Sequence, residues 1–144
     1  MQKTLLMLIS LACLTGCATQ QKLTTASGHP EITIRAPKKV VIDRIANHYS
    51  SAGYQIKSVN DYTLVVEKPS DSAMAAALYG PRSYRVTLSF SEQSGNTHVQ
   101  ARVEWVSNSG TGHEDLTDVS YGAADVQNDL EKLKADLEPA VTQK

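Results

Sequence analysis

The chain is 144 residues long, 41% hydrophobic and 20% charged, with 14 lysines and arginines against 15 aspartates and glutamates and a formal net charge of −1. That size suits one domain, and the balanced, unclustered charge excludes the basic footprint of a nucleic-acid binder or of a protein held by charge on an anionic membrane. Both cysteines, Cys13 and Cys17, lie at the amino end, so no disulfide framework spans the chain and packing must stabilise it.

Residues 1–16 carry a basic start at Lys3, an apolar stretch from Leu5 to Leu14 and small residues at the end, the three parts of a secretory signal. The stretch is too short for a bilayer, whose ~30 Å core needs about 20 apolar residues. It ends in Leu14-Thr15-Gly16-Cys17, which resembles the lipobox of bacterial lipoproteins. The resemblance implies cleavage between Gly16 and Cys17, a diacylglycerol thioether on the Cys17 sulfur and an acyl chain such as palmitate on its new amino group. Cys17 is then the first mature residue, engages the membrane lipid through its acyl chains, and leaves no thiol for a disulfide or a cysteine nucleophile. A single acyl chain holds a protein only marginally; three on one residue need no polybasic helper. Ala18 stands where enterobacterial-type lipoproteins carry Asp as an inner-membrane retention signal. This points to the outer membrane, facing the periplasm, with surface exposure left open. An unlipidated secreted protein or a buried hydrophobic helix is the competing reading.

From residue 18 to residue 30 the chain (ATQQKLTTASGHP) is polar, small and aperiodic, the composition of a flexible tether reaching at most ~45 Å. His29 falls in it as an exposed linker histidine. Residues 17–30 are thus expected to be the lipidated cysteine and tether, 31–138 a single domain, and 139–144 a C-terminal tail. Ile32 and Ile34 alternate with polar neighbours and predict a short strand. Pro37 suits a first helical position, and Val41, Ile42, Ile45, Tyr49 and Ala52 recur at helical spacing up to Gly53, a left-handed stop. His48, at the edge of that stripe, reads as a satisfied or solvated histidine. Tyr54 to Val59 and Thr63 to Lys68 read as a hairpin. A three-residue loop at Asn60-Asp61-Tyr62 gathers Tyr54, Ile56, Leu64 and Val66 on one side, which burial favours over a two-residue turn.

Between this hairpin and the next, Ser70 to Pro81 reads as a short helix with a polar start and a Gly-Pro stop. It is either a connector on the sheet edge or an exposed apolar contact, made by Met74, Leu78 and Tyr79, for a partner or the lipid surface. Tyr84, Val86, Leu88 and Phe90 then alternate with Arg85, Thr87 and Ser89. Beyond Ser94-Gly95, Val99, Ala101, Val103 and Trp105 alternate with His98, Gln100, Arg102 and Glu104. A tight turn at Ser94-Gly95 pairs Phe90 with Val99, Leu88 with Ala101, Val86 with Val103 and Tyr84 with Trp105, all apolar and on one face. The same register sets Arg85 opposite Glu104, a cross-strand charge pair worth a few tenths of a kcal/mol if exposed. Ala123, Val126, Leu130, Leu133 and Leu137 predict a closing helix before Pro139. With only two heptads it should dock on its own sheet rather than form a coiled coil, and a monomeric domain is expected.

The order is strand, helix, two strands, short helix, two strands, helix. It predicts an α+β two-layer domain, one antiparallel sheet with two amphipathic helices on one face. The other face, with Arg85, Thr87, Ser89, His98, Gln100, Arg102 and Glu104, should be wet. Gly53-Tyr54, the strand from Leu64 to Pro69, Ala75 to Gly80, Tyr84 to Leu88, and Val106-Ser107-Asn108-Ser109-Gly110 with Glu114 and Thr117 carry a further likeness. Together with the lipobox, they resemble a group of small, mostly uncharacterised proteobacterial lipoproteins over most of the mature chain. At the level of fold only, the order is similar to the helix-and-sheet domains of a lipoprotein component of the β-barrel assembly machinery. Neither likeness supplies catalytic residues, and fold does not transfer function.

No Gly-rich phosphate loop, Gly-x-Ser-x-Gly elbow, His-Glu-x-x-His or paired-cysteine metal motif occurs. His113-Glu114-Asp115 with Asp118 is the nearest approach to a metal cluster. Adjacent residues on one loop need distant ligands such as His98 to converge, so these read as a solvated loop, and no metal or cofactor is expected. The leading expectation is a non-enzymatic binding or envelope assembly-accessory lipoprotein that engages another envelope protein. Its candidate partner surfaces are Met74, Leu78 and Tyr79 on the insert and Arg85, Arg102 and Glu104 on the wet face. The alternatives are a protective lipoprotein, inhibiting a periplasmic enzyme or excluding superinfecting phage, and a metal-dependent or hydrolytic enzyme using His113.

Overall fold

The hairpin closed at Ser94-Gly95 is the spine of the fold. The computed structural model describes residues 23–138, apart from the side chains of Ala75 and Tyr79. Its elements are β1 (Glu31–Ile34), α1 (Lys38–Ser51), β2 (Gln55–Val59), β3 (Thr63–Pro69), α2 (Ala73–Tyr79), β4 (Arg82–Gln93), β5 (Asn96–Ser107), β6 (Asp115–Asp118) and α3 (Ala123–Leu137). Ser94 and Gly95 both take positive φ, 52° and 76°, the backbone of a two-residue turn whose twist matches its strands. β4 and β5 pair Phe90 with Val99, Leu88 with Ala101, Val86 with Val103 and Tyr84 with Trp105, as the alternation predicts.

The protein is α+β: one antiparallel six-stranded sheet in the order β1-β5-β4-β3-β2, with β6 also on β5. β1 and β6 lie end to end along one edge of β5, β1 against Thr97 to Gln100 and β6 against Glu104 to Ser107. α1 and α3 cover one face. Val41, Ile42, Ile45 and Tyr49 of α1 and Ala123, Val126, Leu130 and Leu133 of α3 are buried in one cluster with Ile32, Ile34, Leu64, Val66, Val86, Leu88, Phe90, Val99, Ala101 and Val103 from the sheet. This burial of apolar surface is the main stabilising term. Gly53, at φ 84°, turns the chain out of α1. At the other end of that helix, Glu92 Oε2 accepts the Lys38 N–H at 3.1 Å, satisfying one of its orphan donors. Among the described residues, no helix is long and apolar enough to cross a membrane.

Three expectations change. The sheet has a sixth strand, β6, in a segment that reads as polar loop. β2 pairs Ile56 with Val66, as a three-residue loop requires, but the register slips between Ile56 and Ser58 and Val59 faces Leu64. β2 is an edge strand exposed along its whole length, and Ile56 stays 44% exposed instead of joining Leu64 and Val66 in the core. Residues 23–30, tether by composition, are tied to the domain. Leu23 packs on the core cluster, Glu31 Oε1 accepts the Ala26 N–H at 2.8 Å, and the buried Pro30 accepts the Ala101 N–H at 2.7 Å.

Candidate functional site

Gly16 and Cys17 lie outside the described residues. On the helix-free face of the sheet, the register places Arg85 opposite Glu104, yet the two do not form the expected ion pair. Arg85 reaches the other way, to β3. Its Nε and Nη2 donate to Glu67 Oε2 at 2.9 and 2.7 Å, and Nη2 also donates to Glu114 Oε2 at 2.8 Å. Glu67 Oε1 accepts the Ser83 and Ser109 hydroxyls, each at 2.6 Å. Glu114 Oε1 accepts the Gly110 N–H at 2.9 Å. The segment after β5 is thereby fastened over the end of the sheet, and Glu67 is only 4% exposed.

Burial works against the charged form of Glu67. The hydroxyls of Ser109 and Ser83 and the guanidinium of Arg85 outweigh it and lower the carboxyl to about 2. Glu114 is likewise held below its usual range by the Gly110 N–H and Arg85. Every strong donor here is already committed, so Glu67 is a saturated, ionised anchor for the loop rather than a proton carrier at neutral pH.

This corrects the picture of a uniformly wet face. Arg85 is mostly buried, and Glu104, 8% exposed, accepts from Thr87 Oγ1 at 3.4 Å. Of the three residues expected to offer a partner surface there, only Arg102 is exposed, 3.6 Å from Asp118. The His113-Glu114-Asp115 run also divides. Glu114 turns inward to Arg85, while His113 and Asp115 face solvent. Among the described residues no group of three metal-ligating side chains is placed to hold an ion. His48 meets Asp129 at 3.6 Å.

The insert fares differently. α2 stands between β3 and β4, where Ser70 N–H donates to the Arg82 carbonyl at 2.9 Å and closes the neck of the excursion. Gly80, at φ 78°, turns the chain back to β4. Met74 is 76% and Leu78 68% exposed, the largest apolar groups among the described side chains of α2. The Tyr79 side chain lies outside the described residues.

A second feature has no counterpart in the sequence patterns. Beyond the cover of α1 and α3, the core face of the sheet opens into a cleft of about 400 Å³. Tyr49, Tyr54, Tyr84, Trp105 and Tyr121 line it, five of the eight aromatic residues in a chain of six tyrosines, one tryptophan and one phenylalanine. They meet in edge-to-face corners, Tyr49 with Tyr54 at 5.1 Å and 79°, Tyr84 with Trp105 at 5.9 Å and 80°. Asp71, Asp125 and Asp129 rim it, with Lys68 the one basic residue. Burial, and after it the charges of these aspartates, pushes the Tyr49 and Tyr54 phenols up; Tyr84 is raised by burial, Tyr54 and Asp125. These rings come from α1, the residue before β2, β4, β5 and the turn before α3, so the alternation of the hairpin announces only the Tyr84–Trp105 pair.

No family model matches the chain, and no curated protein matches it significantly.

Proposed function

We propose that this protein is an envelope lipoprotein, held in the outer membrane by acylated Cys17 and facing the periplasm, whose domain is a non-enzymatic binding module for another envelope protein. The observation that carries the binding role is α2, a seven-residue helix between β3 and β4 with Met74 and Leu78 turned to solvent. Large apolar side chains grouped on a protruding element mark contact surfaces more often than chance exposure does.

A photo-crosslinking side chain at Leu78, compared in living cells with one at Asp43 on the solvent side of α1, tests the binding role. A discrete protein adduct at position 78 and none at 43 is expected. Identical labelling at both positions, or none at 78, would overturn it.

A further inference from the structure

We propose that the aromatic cleft between β4, β5 and the start of α3 is a binding site for an organic ammonium group. Three observations converge on that chemistry. First, five aromatic rings line the one cleft, and the negative face of an aromatic ring attracts a cation. Second, three aspartates stand around the cleft against one lysine; Asp129 is already met by Lys132 and His48, but among the described residues Asp71 and Asp125 enter no ion pair. The local field therefore favours positive charge and disfavours a phosphate or carboxylate. Third, the chain already places an ammonium there. Lys68 Nζ lies 5.6 Å from the centroid of the Tyr54 ring and donates to the Ala52 carbonyl at 3.3 Å, which leaves the Tyr84, Trp105 and Tyr121 rings without a cation of their own.

Tyr49 lines the cleft at 2% exposure, and its buried hydroxyl has no hydrogen-bond partner among the described residues, although buried polar groups are ordinarily paired. This site is separate from α2, and its test is independent of the partner reading.

Trp105 is the only tryptophan of the chain, so its emission reports on the cleft alone. The full-length protein in a detergent without a choline headgroup is titrated with choline and with dimethylbutanol, the uncharged carbon isostere of choline. Nα-acetyl-lysine amide and its norleucine counterpart form a second pair, distinguishing a quaternary from a primary ammonium. Saturable change of Trp105 emission by at least one of the two cations is expected, about tenfold tighter than for its uncharged partner and not reproduced by equal potassium chloride. Asp125→Asn and Tyr121→Ala, both at exposed positions, should each weaken that binding about three- to fivefold with the melting temperature unchanged. A response no stronger for either cation than for its isostere, or an affinity untouched by both substitutions, would overturn the proposal.

Discussion

Arg85 Nη2 lies 2.7 Å from Glu67 Oε2, although the residue that faces Arg85 across the hairpin is Glu104. Glu67 on β3 is the other residue directly opposite Arg85; the guanidinium pairs with it beside Ser83 and Ser109, while Glu104 accepts from Thr87. One choice of partner thus closes the helix-free face of the sheet at this end and holds the segment that leads into β6.

The Glu67 carboxyl is lowered from an ordinary 4.5 to about 2 in the folded protein. Its contribution to stability is therefore complete above about pH 4.5 and is lost as pH falls through about pH 2. A depression of that size corresponds to about 3 kcal/mol, and Glu114 shifts in the same direction. Urea melts taken between about pH 6 and pH 2 should show stability falling through this window. Glu67→Gln should flatten the fall and lower the plateau above it.

Removing the cation alone should be worse than removing an exposed one. Arg85→Ala leaves Glu67 buried and uncompensated, which costs about 3 kcal/mol or more. Arg102 meets Asp118 at 3.6 Å on an exposed surface, so Arg102→Ala should stay within about 0.5 kcal/mol of the parent. Chemical denaturation of the two variants side by side checks the contrast.

Gly122 takes φ 82° at the start of α3, and a Cβ there would overlap the hydroxyl and ring of Tyr84. Gly122→Ala combines backbone strain with displacement of a ring packed on Trp105, an expected loss of about 2–4 kcal/mol with altered Trp105 emission. Gly110 also has positive φ, 80°, but nothing within 4 Å of the added carbon. Gly110→Ala should cost only about 1 kcal/mol and leave the emission unchanged. Thermal melts and fluorescence spectra of the pair separate strain from clash.

Met74 and Leu78 touch solvent rather than core, so the double substitution Met74→Ser with Leu78→Ser should change stability by less than about 0.5 kcal/mol. In the same variant, a crosslinker at the neighbouring exposed Ala76 should lose its protein adduct. Retention of the adduct would assign that contact to residues other than these two.

The parts of the fold legible in the sequence are those where apolar residues repeat with a period. The β4–β5 register, the buried stripes of α1 and α3, and the extent of α2 all follow from spacing and from turn residues such as Gly53 and Ser94-Gly95. β6 is illegible because all four of its residues are exposed, so it shows no alternation. Glu67 is illegible for a different reason. On β3 it occupies an outward, polar position, and it becomes buried only when Ser109 and Glu114 fold back over it. Ile56 has the right parity for the core but sits on an edge strand that stays exposed along its whole length. The aromatic cleft joins residues as far apart as Tyr49 and Tyr121, a convergence that only the topology reveals. Of the candidate partner residues, Met74 and Leu78 stand exposed, one of the two readings of the insert, while Arg85 is drawn in by Glu67 and Glu114 outside its own hairpin and Glu104 by Thr87 within it.

The proposed location of the domain rests on Cys17. Mass spectrometry of the membrane-extracted protein after trypsin reads the anchor directly in the peptide from Cys17 to Lys22. A peptide beginning at Cys17 that carries a diacylglyceryl thioether and an amino-terminal acyl chain is expected, recovered with the outer membrane and lost in Cys17→Ser. A free Cys17 thiol in a chain that still contains residues 1–16, or outer-membrane recovery unchanged by Cys17→Ser, would refute the lipid anchor.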